Sequence, residues 1–302
     1  MTVRRYSAID VDAPLLLPSV GSLNGVVTAC LNTGYTGKSA AGWAIPYYDN
    51  QNKVVYQGGD NSNGFCFRLY DNDNATPNMA SIYGFLTMSD VDTGTGKFPT
   101  DTQIVTPNYS SIIKNSGIQS AARNWLLVAD SRLCFLVINP DADNTWVNAS
   151  LTIFGDFVSL NPSDAYNTLL IGRHLNNQAA NYNGNAGATC TIANTVDGHH
   201  AARSYTQIGN SIRFGKHGDN YNAGVQFPNP VDGGLIMSRY WVTEPGVLRG
   251  YIPGLWYLAP AYSTFSHGDT FTGTGSLAGK TFEIIRVYGA ALALEISDTW
   301  YL

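Results

Sequence analysis

Along most of the chain, apolar and polar residues alternate in short runs divided by turn-forming residues, which is the pattern of strands and turns. The exception lies near the N-terminus, where Leu23, Val26, Val27, Cys30 and Leu31 recur at helical spacing. Ser22 stands where an N-cap belongs and Gly34 where a helix ends. Ahead of that helix, residues 8–18 contain Pro14 and Pro18, which predict an extended segment. A short amphipathic helix beside a β body is expected to close an open end of the sheets.

From Trp43 onward the pattern predicts strands at Ala44–Tyr48, Lys53–Tyr56, Phe65–Tyr70 and Ser81–Leu86. Trp125–Ala129, Leu133–Ile138, Leu151–Phe154 and Thr168–Ile171 follow. Tyr205–Ile208, Ser211–Phe214, Leu235–Val242, Val247–Tyr251, Phe282–Tyr288 and Ala291–Ile296 complete the set. The polar stretch Asp49-Asn50-Gln51-Asn52 reads as a hairpin turn, as do Asp130-Ser131-Arg132 and Gly209-Asn210. Residues 173–187 show no periodicity and no aliphatic core former after Leu175, so they read as a long loop or arm of the kind that orders against a neighbour.

The fold class expected is all-β: a sandwich or barrel-like body with long loops and one short N-terminal helix. Residues 1–40 form an extended segment plus the helix, and 41–302 a β-rich body. Whether the loop at 173–187 divides that body into two subdomains stays open at this level.

Composition narrows the function. Charged residues make up 13% of the 302 positions, roughly half the share of an ordinary soluble domain. A polar but weakly charged surface is covered by another protein at little desolvation cost, and a net charge of −5 gives little protection against self-association. A subunit of a larger assembly, in contact with copies of itself and other proteins, fits that balance. Arg4 and Arg5 are the one adjacent basic pair, so no electrostatic footprint for nucleic acid is expected. No stretch approaches the roughly 18 apolar residues of a membrane span, and the N-terminus has no signal-like apolar run. The four cysteines, at 30, 66, 134 and 190, lie far apart with no Cys-x-x-Cys and read as buried thiols.

Candidate chemistry is sparse. Gly34-Tyr-Thr-Gly37-Lys38-Ser39 and Gly275-Ser-Leu-Ala-Gly279-Lys280-Thr281 end like phosphate-binding loops, but their glycines stand too close together, and both read as turns. His174, His199, His200, His217 and His267 sit beside glycines and carboxylates without a metalloenzyme spacing, and His267-Gly268-Asp269 suits a tight turn. Asp71-Asn-Asp73 begins like a calcium loop, yet Ile82 occupies the position of the bidentate Glu. Asp90-Val-Asp92-Thr-Gly94 is likewise incomplete. The 18 Tyr, 12 Phe and 6 Trp invite a sugar-binding reading, and paired carboxylates in an aromatic groove would make a glycosidase. The expectation is a non-enzyme with no catalytic, cofactor or metal residues, and with a host surface glycan as an alternative partner.

Several phrases resemble a family of virion structural proteins from tailed bacteriophages. They include Asp10-Val-Asp-Ala-Pro14, Thr87-Met-Ser-Asp-Val-Asp-Thr-Gly-Thr-Gly96 with Phe98, and Leu248-Arg-Gly-Tyr-Ile-Pro-Gly-Leu-Trp256. His267-Gly-Asp-Thr-Phe271, Leu277-Ala-Gly-Lys-Thr-Phe282 and Leu294-Glu-Ile-Ser-Asp-Thr-Trp-Tyr301 are similar too, and residues 173–230 match least. The resemblance implies a virion component made in the host cytoplasm, favouring the tail or baseplate over a capsid-decoration role on the head surface. It carries no catalytic residues.

Overall fold

The structure, a computed structural model, describes residues 2–49, 52–71, 79–98, 111–115, 121–141, 143–146, 149–172, 189–192, 207–209, 226–244, 247–260, 262–287, 290–297 and 299–301. The body is all-β, in three main antiparallel sheets. The central sheet has the strand order Arg4–Ser7, Trp125–Ala129, Leu133–Ile138, Ser150–Asp156, Thr168–Gly172, Thr189–Ile192. The N-terminal sheet runs Ala44–Asp49, Lys53–Gln57, Cys66–Tyr70, Met79–Phe85, Ser111–Ile113. The C-terminal sheet runs Gln207–Gly209, Met237–Glu244, Val247–Leu258, Ala290–Glu295, Thr281–Val287, Thr270–Thr272.

Side chains alternate across a strand, so each face of the central sheet carries its own set. Leu126, Val128, Leu133, Phe135, Val137, Leu151 and Ile153 meet Tyr240, Ile252, Leu255, Ile285 and Leu292 of the C-terminal sheet. Their sequence neighbours Trp125, Leu127, Cys134, Leu136, Ile138 and Phe154 face the other way. They pack with Val54, Tyr56, Phe67, Leu69 and Ile82 of the N-terminal sheet and with the helix. The central sheet is therefore the middle of three β layers. This is why its strands read as unbroken apolar runs, a pattern of burial on both faces.

The helix spans Ser22–Thr28 and continues as a wider turn through Thr33. Leu23, Val26, Val27, Cys30 and Leu31 enter the core shared by the N-terminal and central sheets. Gly34 ends the element in a positive-φ conformation, as expected. Ser22 does not cap it. Its hydroxyl is turned back to the preceding loop, accepting from Leu17 N–H at 2.6 Å and donating to the Leu15 carbonyl at 3.0 Å. The N-terminal amides are met instead by Asp71, 48 residues further on, whose Oδ2 accepts from Leu23 N–H at 2.7 Å.

Residues 8–18 also depart from the extended segment expected. Asp10 N–H donates to the Ser7 carbonyl and Ala13 N–H to the Asp10 carbonyl, which folds 7–13 into successive turns. The strand at 207–209 pairs with 241–243; the hairpin partner expected at 211–214 lies outside the described residues, as does the loop or arm expected at 173–187. The strands flanking that arm, Thr168–Gly172 and Thr189–Ile192, pair with each other.

The C-terminal tail locks the layers. Trp300 is buried against Phe135 with ring centroids 5.1 Å apart, and its indole N–H donates to the Glu295 carbonyl at 2.9 Å. Tyr301 donates its hydroxyl to the Asp156 carbonyl, and the Arg132 guanidinium lies 3.9 Å from its ring centroid. Gly254, at φ 75°, makes room: a Cβ there would stand 2.5 Å from the Trp300 indole nitrogen. Gly254→Ala is expected to expel Trp300 and to lower stability by about 3 kcal/mol, from the backbone conformation and the lost aromatic burial together. Urea unfolding checks this; an unchanged midpoint would refute the packing role.

Candidate interaction surface

The structure spends most sequence-level chemical candidates on holding the fold. The Gly34–Ser39 stretch is a tight turn in which Tyr35 and Lys38 exchange backbone hydrogen bonds, and Lys38 Nζ reaches the Arg5 carbonyl at 3.0 Å. Lys280, in the second such stretch, pairs with buried Glu295. Asp71 is a buried partner of Lys114, while Ile82 belongs to the core. Asp92 lies between Lys53 and Arg68, with contacts at 2.7 and 3.0 Å. Asp73 and His174, His199, His200 and His217 fall outside the described residues. Cys30, Cys66 and Cys134 are buried free thiols; the Cys190 side chain is outside the described set.

Buried carboxylates have similar duties. Asp164 receives a two-pronged contact from Arg249, both bonds at 2.9 Å, and Arg5 donates to Glu283 at 2.8 Å across two sheets. Asp156 accepts from Thr168 Oγ1 at 2.6 Å and from Asn63 N–H at 2.8 Å, joining the central sheet to the loop that enters the N-terminal sheet. Burial pushes its carboxyl up, against the pull of those donors. Asp130 clamps the turn expected at 130–132 by accepting from the amides of Arg132 and Leu133. Among the described residues no group of three His, Cys, Asp or Glu side chains is placed to hold a metal ion.

His267 sits in the tight turn its sequence predicts. Gly268 has φ 88°, and Asp269 Oδ2 accepts from Ser266 N–H at 2.9 Å. The imidazole stacks on Trp146 at 3.6 Å between centroids and 8° between planes, and its Nδ1 accepts from Arg286 N–H at 3.2 Å. Trp146 holds φ 56°, a costly backbone state for a bulky residue. Burial, with the nearby Arg5 and Arg286, lowers the His267 pKa to about 4.

Several glycines allow close packing at such joints. Gly84 lies under the Phe98 ring, where a Cβ would come within 2.0 Å of it. Gly250 lies against the Val158 carbonyl at 2.1 Å from a Cβ position, and Gly254 against Trp300. These residues shape packing in the interior.

The exterior carries the more informative signal. Ten large apolar side chains are exposed among the described residues, and four of them lie in one short stretch: Ile9 at 84%, Val11 at 72%, Leu15 at 64% and Val20 at 43%. That stretch is clamped. Asp10 Oδ2 accepts from Ser7 N–H at 2.8 Å and from the Tyr35 hydroxyl at 2.7 Å. The Trp125 indole N–H donates to the Pro14 carbonyl at 3.1 Å, and Leu16 is fully buried. Sequence reasoning finds the prolines but not this surface; the spacing of Ile9, Val11 and Leu15 around polar neighbours is the available signal.

Two grooves accompany it. One, of about 850 Å³, lies between the outer side of the helix (Gly25, Thr28, Asn32) and the edge strand, with Ile45 and the exposed Tyr48 on its wall. Gly25 is exposed there, and a Cβ would meet nothing within 4 Å. The other, of about 610 Å³, lies on the outer face of the C-terminal sheet, with Phe227, Phe265 and Phe271 as floor and Thr270 and Thr272 on the rim. On that sheet Trp241 and Tyr251 meet edge to face at 6.1 Å, while Arg239 covers the Tyr251 ring at 4.0 Å. No protein-family model matches the chain, and neither does any curated protein.

The His267 environment sets a pH dependence. Its folded pKa lies below the unfolded value of about 6.5, so the unfolded chain binds the extra proton and stability falls as pH drops from 6.5 toward 4. The expected loss is at most about 3 kcal/mol. His267→Phe keeps an aromatic stack without the titration, so the difference between its urea-unfolding curve and the wild type's should grow across that window. A constant difference would show that His267 does not titrate there.

Proposed function

We propose that this chain is a structural subunit of a tailed-phage virion, in the tail or baseplate region, which works through contacts with copies of itself and with other virion proteins. The observation that carries the assembly part is the clamped apolar stretch at 9–20. Holding Ile9, Val11 and Leu15 rigid in water brings a lone molecule no burial, whereas a partner that covers them gains apolar area with the ordering cost already met. Weak surface charge points the same way. The virion part rests on the resemblance of the sequence motifs.

A capsid-decoration role on the head surface would use the same apolar stretch. A host-glycan-binding role draws support from the Trp241–Tyr251 cluster, although Arg239 already occupies the Tyr251 face on which a sugar ring would stack.

The mass of the purified protein in solution, with immunogold labelling of intact phage, tests the proposal. A discrete oligomer with label on the tail is the expected result, and label over the head would make it a decoration protein. A stable monomer absent from the particle would overturn the structural reading. Replacing Ile9 and Val11 by Asp should leave the unfolding midpoint within about 0.5 kcal/mol of wild type, since both side chains are solvent-exposed, yet shift the mass distribution toward the monomer. An unaltered oligomer would remove the 9–20 stretch from the interface.

A further inference from the structure

Lys114 and Asp71 are both wholly buried. Lys114 directly follows the edge strand Ser111–Ile113, Asp71 directly follows Cys66–Tyr70, and the strand Met79–Phe85 lies between these two in the sheet. Lys114 Nζ donates to Asp71 Oδ1 and, at 3.0 Å, to the Ser19 carbonyl. The second carboxyl oxygen, Oδ2, accepts from Leu23 N–H at 2.7 Å, and the Asn24 amide also bonds this carboxylate.

A charged pair in so dry a place is costly, and transfer of one proton from the ammonium to the carboxylate removes both charges. Burial pushes the Asp71 carboxyl up, toward the neutral acid that such a transfer produces. An amine and a carboxylic acid held in contact, with bulk water shut out, are at an effective concentration that favours condensation.

We propose that Lys114 and Asp71 condense into an internal amide, a covalent cross-link between the ends of two non-adjacent strands beside the start of the helix. The ammonium first gives a proton to Oδ1, leaving a neutral amine and a carboxylic acid. The Nζ lone pair then attacks Cγ, and negative charge develops on Oδ2, where the helix-start amide of Leu23 holds it as an oxyanion site. A second Nζ proton moves to the Oδ1 hydroxyl, the Cγ–Oδ1 bond breaks and one water leaves. The balance is an ammonium plus a carboxylate giving an amide plus water, with no change of oxidation state. The product also fits its surroundings. Its remaining N–H keeps the Ser19 carbonyl as acceptor, its carbonyl oxygen keeps the Leu23 amide as donor, and neither charge of the pair is left.

The test is the intact mass of the purified full-length chain, kept folded and then denatured for measurement. The expected mass is lower than that of the sequence by one water. Trypsin should fail to cut after Lys114 in the denatured chain, and tandem mass spectrometry should read a branched peptide joining the segments that contain Asp71 and Lys114. Lys114→Arg retains the charge but offers no competent nucleophile, so its mass should equal its sequence. A wild-type chain at full sequence mass, cut normally after Lys114, would overturn the cross-link and leave an ion pair. That outcome is read from the wild-type protein alone, so it stands even if the variant fails to fold.

Discussion

A sheet buried on both faces can tolerate almost no charge along its strands, and this limit governs the whole molecule. Trp125–Ala129 and Leu133–Ile138 carry no polar residue, and every side chain in them is buried. The two outer sheets exist in their present form because those faces need covers. Each outer layer supplies an alternating pattern inward, and the helix fills the space that the N-terminal sheet leaves. Burying both faces of the inner strands Trp125–Ala129, Leu133–Ile138 and Ser150–Asp156 in one layer gathers much of the hydrophobic driving force into contacts between residues distant in sequence.

The polar groups that the layers do admit sit where the chain passes from one layer to another. Ser150–Asp156 passes through Gly155, whose φ of 131° no other residue suits, and the chain then crosses to pair Val158–Ser159 with the C-terminal sheet. Asp156 stands at that crossing and binds the N-terminal sheet's entry loop, the central sheet and Tyr301. Arg5 with Glu283 and Arg249 with Asp164 tie further crossings. Truncating one partner of such a pair costs far more than the pair itself contributes, because the remaining charge is stranded in a dry site. With charged residues at only 13% of the chain, each one committed inside leaves the exterior still poorer in charge.

Local signals in the sequence were legible where the physics is local. Trp125–Ala129 and Leu133–Ile138 match their predicted bounds, because an apolar run on each side of Asp130-Ser131-Arg132 leaves little choice of register. The turn at His267-Gly268-Asp269 and the stop at Gly34 follow from glycine's access to positive φ. Where a distant residue decides the outcome, the sequence misleads. Ser22 looks like a cap, but Asp71 occupies the helix start and Ser22 turns to the loop. Arg4–Ser7 does not look like a strand, since two arginines hide an edge strand whose partners lie more than a hundred residues away. The layering itself was present in the unbroken apolar runs, but a run buried on two faces looks like one buried on a single face until its covers are known.

The exposed apolar stretch acquires its meaning from this layout. Residues 9–20 lie between the edge strand of the central sheet and the helix, and they are held at both ends by buried contacts, Tyr6 on one side and Leu16 and Leu23 on the other. Selection for stability alone would favour polar residues at positions that touch nothing, because in the isolated chain such replacements cost almost no stability. Ile9 and Val11 instead project from turns whose backbone is fixed by Asp10, while Asp10 itself is fixed by Tyr35 and Lys38. A rigid mount beneath an apolar tip is the arrangement that lowers the entropic cost of docking, and a weakly charged surround keeps desolvation of the rim cheap. These are the features that the proposed assembly role requires of an interface: an apolar tip, a fixed backbone beneath it and a rim that is cheap to desolvate.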